Sequence, residues 1–454
     1  AQSGPDIAEV HGNQGDEEPE CFTDSDCAGV LTDLPVCIVA FACCAFFNVY
    51  ARIMATLTYL TTTHFDFGAL ELLPKELKKA GVTKPLIATD AGLVGAGIVD
   101  TVTGALEDGA AFAVFDETPG NPTEEAVTKA LELYKSEGCD GVIALGGGSS
   151  MDLGKAVALL AGSGGPLDQY DPMLGGAKHI KKVAPVIAIP TTAGTGSEVS
   201  VGFVIILEDG RKMTFASPLL IPRAAICDPE LTMGLPAGMT AATGMDAITH
   251  CIEAFLTPQV NPPAEGVALD GLWRGWQYLP RAVKDGSDRD ARWQMMMCST
   301  EGAMAFIKGL GAVHAMSHAA GRIRRLNPHH GTLNAVFLPE VLRFNEGACE
   351  AKYVRLRQAM GLEPGADLAK AVEDMNAAIG IPSGLAEMGL EESDIAELVE
   401  YAAEIAAASR SPEAGSTARA GGLQDALGYW IVLAVFHALQ THRSLSLDWL
   451  EALT

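Results

Sequence analysis

The sequence is poor in basic residues. It has 31 lysines and arginines against 57 aspartates and glutamates, which gives a formal net charge of −26 at pH 7. Apart from a short cluster that begins at Arg322, it has no basic stripe that could neutralise a nucleic acid or an anionic lipid surface. The composition therefore argues against nucleic acid and membrane as partners and favours a small molecule.

The sequence also lacks a membrane-length apolar run and a disulfide framework. The apolar segment Pro35–Tyr50 has 16 residues, short of the roughly 20 that a membrane-spanning helix needs. The acidic residues before it are unlike the positively charged start of a secretory signal. From Cys139 onward the cysteines are scattered, as is usual for the reduced, buried thiols of intracellular enzymes. We therefore expect a cytoplasmic protein.

Short apolar segments alternate with helical stretches between residues 67 and 236. The predicted strands are 85–90, 111–115, 141–145 and 185–189. Strands that alternate with helices form parallel sheets through right-handed crossovers, so this half is predicted to be a doubly wound α/β sheet. After Leu235-Pro236 the periodicity becomes helical, which predicts a second, helical half with Trp273 and Trp276 in its core.

A glycine-rich turn, Gly146–Asp152, lies between an apolar strand and a helix. Glycine lets the backbone approach a pyrophosphate, whose charge is stabilised by the N–H groups and the dipole at the helix start. The segment Pro190–Glu198, rich in hydroxyls and glycine, follows another strand and offers further short donors. Both segments indicate nucleotide binding, although many such turns are only turns. Asp90, at a strand end, is either a contact for an adenosine ribose or a capping aspartate.

Histidines concentrate in the helical half. Asp246 and His250 are four residues apart, as are His314 and His318, so each pair shares one face of a helix. The doublet His329-His330 follows. A single such pair is usually a surface pair, but the combination indicates a transition metal such as Fe(II) or Zn(II), since Ca²⁺ and Mg²⁺ prefer oxygen ligands. We predict the catalytic centre here.

A chain of 454 residues is too long for one ordinary core, so two domains with appendages are expected. The first 51 residues contain nine acidic and no basic residues and carry no recognisable chemistry. The predicted divisions are 1–53, an acidic and apolar extension; 54–236, a dinucleotide-binding domain; 237–409, a helical metal-binding catalytic domain; and 410–454, an atypical C-terminal segment.

Several motifs between about residue 67 and about residue 408 are specific in combination. They are Thr89-Asp90, Asn121–Thr123, Gly146–Ser149, Pro190–Glu198, Asp228-Pro229, Gly244–His250 and Gly311–His318. Together they resemble the iron-dependent (group III) alcohol dehydrogenases, which include lactaldehyde reductase and 1,3-propanediol dehydrogenase. The resemblance implies a parallel-sheet nucleotide-binding domain followed by an all-α metal-binding domain, the architecture of dehydroquinate synthase.

By position, the resemblance implies roles for particular residues. Asp246, His250, His314 and His330 match the metal ligands, and the first two are also assigned to catalysis. His318 matches a catalytic histidine associated with proton relay. The positions that match cofactor contacts are Asp90, Asn121, Gly147, Gly148, Ser149, Thr191, Thr192 and Lys212. Asp90 matches the acidic residue that favours NAD over NADP, because its carboxylate accepts hydrogen bonds from the ribose hydroxyls and repels a 2′-phosphate.

The sequence departs from the family pattern in two respects. The interval from His314 to His330 is two residues longer than the family pattern, so His329 competes with His330 as the last ligand. The segments 1–53 and 410–454 match nothing in the family.

The expected activity is reversible hydride transfer between a primary alcohol and NAD, with Fe²⁺ or Zn²⁺ as Lewis acid. Arg322, Arg324 and Arg325 either bind the carboxylate of a short hydroxy acid or form a solvated cluster. Two rival hypotheses are an NAD- and metal-dependent lyase resembling dehydroquinate synthase, and a non-catalytic nucleotide-binding protein. By analogy with the family we also expect a homo-oligomer.

Overall fold

A computed structural model describes residues 61–323 and 328–391, together with 393, 394, 397, 398 and 401. The predicted extensions 1–53 and 410–454 lie outside the described residues, as do Arg324 and Arg325.

The first half is built on a six-stranded sheet and a hairpin. The strands are β1 (Thr63–Phe65), β2 (Pro85–Ala88), β3 (Ala113–Phe115), β4 (Gly141–Gly146), β5 (Val186–Pro190), β6 (Gly202–Ile206), β7 (Lys212–Ala216) and β8 (Ala224–Cys227). The sheet order is β1-β8-β5-β4-β2-β3 with every pairing parallel, while β6 and β7 form the antiparallel hairpin. The four predicted strands correspond to β2, β3, β4 and β5, whereas β1, β8 and the hairpin were not predicted.

Helices cover the sheet and then form the second half. They are α1 (Leu73–Ala80), α2 (Ala91–Gly95), α3 (Ile98–Gly104), α4 (Glu124–Ser136), α5 (Gly148–Ser163), α6 (Ala237–Leu256), α7 (Pro262–Lys284), α8 (Arg289–Ala305), α9 (Ala312–Ala320), α10 (His330–Asn345), α11 (Glu350–Met360) and α12 (Leu368–Ala378). Along β2, Leu86 and Ala88 pack into one core cluster and Ile87 into another, so apolar cores lie on both faces of the sheet. The predicted fold class is confirmed.

The sheet order contains a switch point between β2 and β4. The chain runs from β2 to β3 at one edge, and then returns past β2 to β4. In open parallel sheets a ligand binds outside the carboxyl ends of the strands at such a point. Asp90 follows β2 and Gly147 follows β4, so both residues lie at this place.

The second half packs around α6, which is buried along most of its length. Helices α7 and α8 lie against it, with small residues at the contact: a Cβ added at Gly244 would lie 2.3 Å from Leu279. The prediction for Trp273 was wrong, because this residue is 41% exposed, whereas Trp276 is partly buried against the core. Within the described part of the chain, no helix is both long and apolar enough to span a bilayer.

Candidate metal centre and cofactor site

Helix α6 carries two of the predicted ligands on one face. Asp246 and His250 are one turn apart, and their side chains are only 3% and 5% exposed. The start of α10 reaches this face closely, because a Cβ at Gly331 would lie 2.2 Å from the carbonyl oxygen of Ala242. Glycine at 331 therefore lets His330 approach Asp246.

Three imidazoles converge on a single carboxylate oxygen. The Nε2 atoms of His250, His314 and His330 lie 3.8, 3.6 and 3.7 Å from Oδ1 of Asp246. The ligand atoms of Asp246, His314 and His330 all lie within 4.8 Å of one another. These separations suit a cation between them, since zinc and similar ions bind such atoms at roughly 2.0–2.2 Å. One carboxylate with imidazoles fits a divalent transition metal.

The protonation states of two of the three rings also fit metal binding. Burial lowers the pKa of His250 to about 4 and holds the pKa of His330 well below its usual value, so both rings are neutral near pH 7. Burial also disfavours the charged form of His314, but contacts with the carboxylates of Asp246 and Glu253 outweigh it and raise the pKa of His314 to about 9. A bound cation would replace that proton.

His329 and His330 occupy different places. His330 belongs to the cluster, whereas His329 is exposed at the start of α10, where its Nδ1 accepts a hydrogen bond from the backbone N–H of Thr332 at 3.4 Å. His330 thus lies among the candidate ligand atoms and His329 does not. The longer interval after His314 includes residues 324–327, which are not described.

Two polar residues beside the cluster were missed from the sequence. Asn334 is fully buried, and its amide nitrogen donates to Oδ1 of Asp246 at 2.7 Å and lies 3.1 and 3.2 Å from Nε2 of His314 and His330. Glu253 contacts His314 from the opposite ring nitrogen. Helical spacing was the available signal, since Asn334 is four residues after His330 and Glu253 is three residues after His250.

His318 lies near the cluster without joining it. Its ring centroid is 5.1 Å from that of His330 and 6.4 Å from that of His314. Burial, together with the nearby charge of Lys212, lowers the pKa of His318 to about 3, so the ring is neutral near pH 7. Lys212 itself donates to Oδ1 of Asn121 at 3.0 Å, which brings two of the predicted cofactor residues together.

The glycine-rich turn and the hydroxyl-rich loop meet at the carboxyl ends of β4 and β5. The N–H of Thr191 donates to the carbonyl oxygen of Gly146 at 3.0 Å. A Cβ at Gly147 would lie 3.4 Å from the side chain of Thr192, and one at Gly148 would lie 2.6 Å from Thr195. Helix α5 begins at Gly148, so its free N–H groups lie at this junction. Helix starts with small residues of this kind can leave room for a phosphate.

Asp90 and Ser149 hold the surroundings of this turn. Asp90 caps α2 by accepting from the N–H of Leu93 at 3.1 Å, so the capping interpretation applies to one of its oxygens. Its other oxygen lies 3.5 Å from the hydroxyl of Ser150 at the start of α5. The hydroxyl of Ser149 donates to the carbonyl oxygen of Gly120 at 2.5 Å.

Of the predicted arginine cluster, the structure describes Arg322. Its guanidinium carbon lies 3.8 Å from the ring centroid of Tyr401. A cation over an aromatic face is attracted to the ring, so this contact holds Arg322 just beyond the end of α9.

Comparisons with known proteins agree with this geometry. A family profile described as iron-containing alcohol dehydrogenase matches residues 61–229, and a profile for the C-terminal part of the same family matches residues 240–419. The chain is 55% identical over 347 residues to the 4-hydroxybutyrate dehydrogenase of Cupriavidus necator, with 75% of this chain and 91% of the relative covered. The chain belongs to the iron-containing alcohol dehydrogenase family.

Further relatives are consistent with that assignment. The chain is 37% identical to the NAD-dependent methanol dehydrogenase of Bacillus methanolicus over 76% of this chain and 92% of the relative. The solved structure of a 1,3-propanediol oxidoreductase superposes with a TM-score of 0.74 at 32% identity, covering 84% of this chain and 100% of that one. The predicted family and activity class are confirmed: this iron-containing alcohol dehydrogenase is an oxidoreductase that interconverts alcohols and aldehydes with a metal and a nicotinamide cofactor.

Proposed function

We propose that this enzyme oxidises short ω-hydroxy acids reversibly to the corresponding semialdehydes, with NAD as hydride acceptor and Fe²⁺ as metal. The observation that carries the proposal is the convergence of three imidazoles on one buried oxygen of Asp246. A cation held there by Asp246, His250, His314 and His330 supplies Lewis acidity that favours ionisation of the substrate hydroxyl.

The metal is proposed to be Fe²⁺ from the family, with Zn²⁺ as the rival. The donor set itself does not separate the two, and zinc binds such sites more tightly in the general order of affinities. Protein prepared anaerobically and reconstituted with each ion provides the test. We expect the highest turnover with Fe²⁺, and higher turnover with Zn²⁺ would overturn this part of the proposal.

The cofactor is proposed to lie across the switch point of the sheet. The turn at Gly147 and Gly148 takes the pyrophosphate, and Thr191 and Thr192 add donors beside it. Asp90 meets the ribose hydroxyls and repels a 2′-phosphate, which favours NAD over NADP. A methanol dehydrogenase that is 37% identical is named as NAD-dependent, which supports the same choice.

His318 and Lys212 are proposed to act between cofactor and metal. His318 is neutral near pH 7, and its lowered pKa means that it does not hold an extra proton, so its ring would take the proton of the substrate hydroxyl at one nitrogen only while releasing another from the second nitrogen. Lys212 donates to Asn121 at 3.0 Å, and although burial lowers its pKa to about 8, most of it is protonated near pH 7, beside the bound cofactor. The reaction balances as hydroxy acid and NAD⁺ giving semialdehyde, NADH and one proton.

The substrate class rests on the relative named as a 4-hydroxybutyrate dehydrogenase, at 55% identity. Arg322 lies four residues after His318, just beyond the end of α9, and a guanidinium suits a carboxylate. The test compares kcat/KM for 4-hydroxybutyrate with that for 1-butanol, which has the same carbon chain without the carboxylate. We expect a preference of tenfold or more for the hydroxy acid, an ion-pair contribution of about 1.4 kcal/mol. Equal kcat/KM values for the two substrates would contradict the proposed preference for a hydroxy acid, but they would not contradict the alcohol dehydrogenase activity.

A further inference from the structure

We propose that Glu253 is a positioning residue of the metal centre, because its carboxylate sets the tautomer and the orientation of His314. This inference rests on the proposed role of His314 as a ligand. Glu253 lies on α6, seven residues after Asp246 and three after His250, so all three side chains share one helix face. Its side chain is 3% exposed.

Both carboxylate oxygens of Glu253 accept hydrogen bonds from the start of α9. Oε1 accepts from the backbone N–H of Val313 at 2.7 Å, and Oε2 lies 2.6 Å from Nδ1 of His314 and 3.4 Å from its backbone nitrogen. A carboxylate is an acceptor only, so the ring contact requires the proton to be on Nδ1. Once a cation replaces the other ring proton of His314, the lone pair is on Nε2, the atom that faces Asp246.

This arrangement matches a general feature of metal sites. A ligating histidine usually donates its second ring N–H to a carboxylate or carbonyl, which fixes the ring and makes it a better donor to the metal. Here the same carboxylate also joins α6 to α9, the helices that carry Asp246 and His314. One residue therefore sets the separation of two ligands and the tautomer of one of them.

The chain leaves room for this contact at Gly311. A Cβ added there would lie 2.7 Å from Oε1 of Glu253, although the backbone of Gly311 is extended and accessible to any residue. The need for glycine at this position is therefore steric. A side chain at 311 would displace the carboxylate from His314.

Capping of α9 alone would not require the ring contact. The N–H of Val313 satisfies a cap, whereas the 2.6 Å contact with Nδ1 acts on the ligand ring itself. If Glu253 only caps α9, its replacement should change the stability of the protein and nothing else. If Glu253 positions His314, its replacement should also change the affinity of the site for the metal and the ligand field of the bound metal.

The principal test is Glu253→Gln, which keeps the shape of the side chain. Glutamine has one acceptor oxygen, but three N–H donors face this site: the backbone of Val313 and both the ring and the backbone of His314. One donor therefore meets the amide NH₂, or the ring of His314 takes the tautomer that places hydrogen on Nε2. We expect Zn²⁺ and Co²⁺ to bind the metal-free variant about 10–100-fold more weakly by chelator competition.

The matched control is Glu76→Gln on α1, in the sheet half. The side chain of Glu76 is also buried, at 4% exposed, and its carboxylate lies 3.1 Å from Nε2 of His64 and 3.3 Å from Nζ of Lys79. We expect its metal affinity to stay within twofold of the wild type. A loss equal to that of Glu253→Gln would mean that removal of any buried carboxylate weakens the site, and would overturn the inference.

A second variant and a spectrum separate positioning from capping. Gly311→Ala keeps Glu253 but pushes its carboxylate, and we expect several-fold weaker metal binding together with a shifted visible absorption of the Co²⁺ form. Glu253→Gln should shift the Co²⁺ bands as well. Lower thermal stability with an unchanged Co²⁺ spectrum and affinity in both variants would show that Glu253 is only a cap. If Glu253→Gln does not fold, Gly311→Ala decides on the same criteria.

His314→Ala distinguishes failure of the inference from failure of the site. We expect this variant to lose at least as much metal affinity as Glu253→Gln. Wild-type affinity in His314→Ala would contradict the ligand assignment itself. A large loss in His314→Ala, with affinity within twofold of wild type in both Glu253→Gln and Gly311→Ala, would contradict only the role of Glu253.

Discussion

The sheet half and the helical half of this enzyme build their sites in opposite ways. The cofactor side relies on backbone groups and small residues in two short segments, where added side chains at Gly147 and Gly148 would meet the neighbouring loop. The metal side relies on buried ionisable side chains from α6, α9 and α10, which are distant in sequence. We therefore expect added atoms to weaken the first kind of site and lost charge to weaken the second.

Loss of the carboxylate on the metal side should have the largest effect. In Asp246→Ala the three imidazoles lose the oxygen on which they converge, so we expect loss of metal retention and a fall in turnover of about a thousandfold or more. Metal content after dialysis and kcat provide the measurements. NADH affinity should stay unchanged, and normal turnover under metal-depleted conditions would refute the assignment.

The second effect concerns Glu198, in the loop where the two halves meet. Its Oε1 lies 3.4 Å from the hydroxyl of Thr300 on α8, and burial raises the pKa of Glu198 to about 7 from its usual 4.5. The folded protein therefore holds this proton more tightly than the unfolded chain. The contribution of Glu198 to the free energy of unfolding is then highest below pH 4.5 and falls by about 3 kcal/mol as the pH rises to 7.

Glu198→Gln should remove this decline. Urea unfolding at pH 5 and pH 8 measures it, and the difference between wild type and variant isolates Glu198 from the other titrating groups. The same pH dependence in both proteins would show that Glu198 does not hold the proton.

The third effect concerns cofactor choice at Asp90. Asp90→Gly removes the charge that opposes a 2′-phosphate, and we expect the ratio of kcat/KM with NAD to that with NADP to fall about 10–100-fold. Glycine is tolerated as a helix cap, so α2 should lose only a few tenths of a kcal/mol. Metal affinity serves as the internal control. An unchanged ratio would assign Asp90 to capping alone.

The smallest expected effect is that of Gly148→Ala. The added Cβ would lie 2.6 Å from Cγ2 of Thr195, which is closer than normal contact. Because the Thr195 side chain can rotate away, we expect the affinity for NADH to fall by only about tenfold, or about 1.4 kcal/mol. Gly95→Ala is the matched control, because nothing lies within 4 Å of its added Cβ. Metal binding should be unaffected by both. Equal NADH affinity in the two variants would contradict the pyrophosphate turn.

The same contrast explains how much the sequence could predict. Strand β4 and its glycine turn are contiguous, so their pattern alone predicted a strand, a turn and a helix in the observed order. The pairing of Asp246 with His250 was also local, since helical spacing defines it. The concentration of histidines indicated that His314 and His330 belong to a metal centre, but only the family resemblance assigned them as ligands together with Asp246.

What could not be predicted depends on contacts between distant segments. Asn334 contacts Asp246 across a sequence separation of 88 residues, and Glu253 contacts His314 across a separation of 61 residues. In the sequence alone, Asn334 and Glu253 look like ordinary polar residues of a helix, because only the packing of the helices brings them to their partners. The predicted burial of Trp273 was wrong for a related reason. Periodicity identifies the apolar face of α7 but does not show which neighbouring element covers it.

The most direct test of the central claim is an anomalous difference map collected at the iron absorption edge from crystals of the Fe²⁺-loaded enzyme. The account predicts one peak about 2.0–2.2 Å from Oδ of Asp246 and from Nε2 of His250, His314 and His330. A peak bound by His318 or His329 without Asp246, or no peak within reach of Asp246, would contradict it.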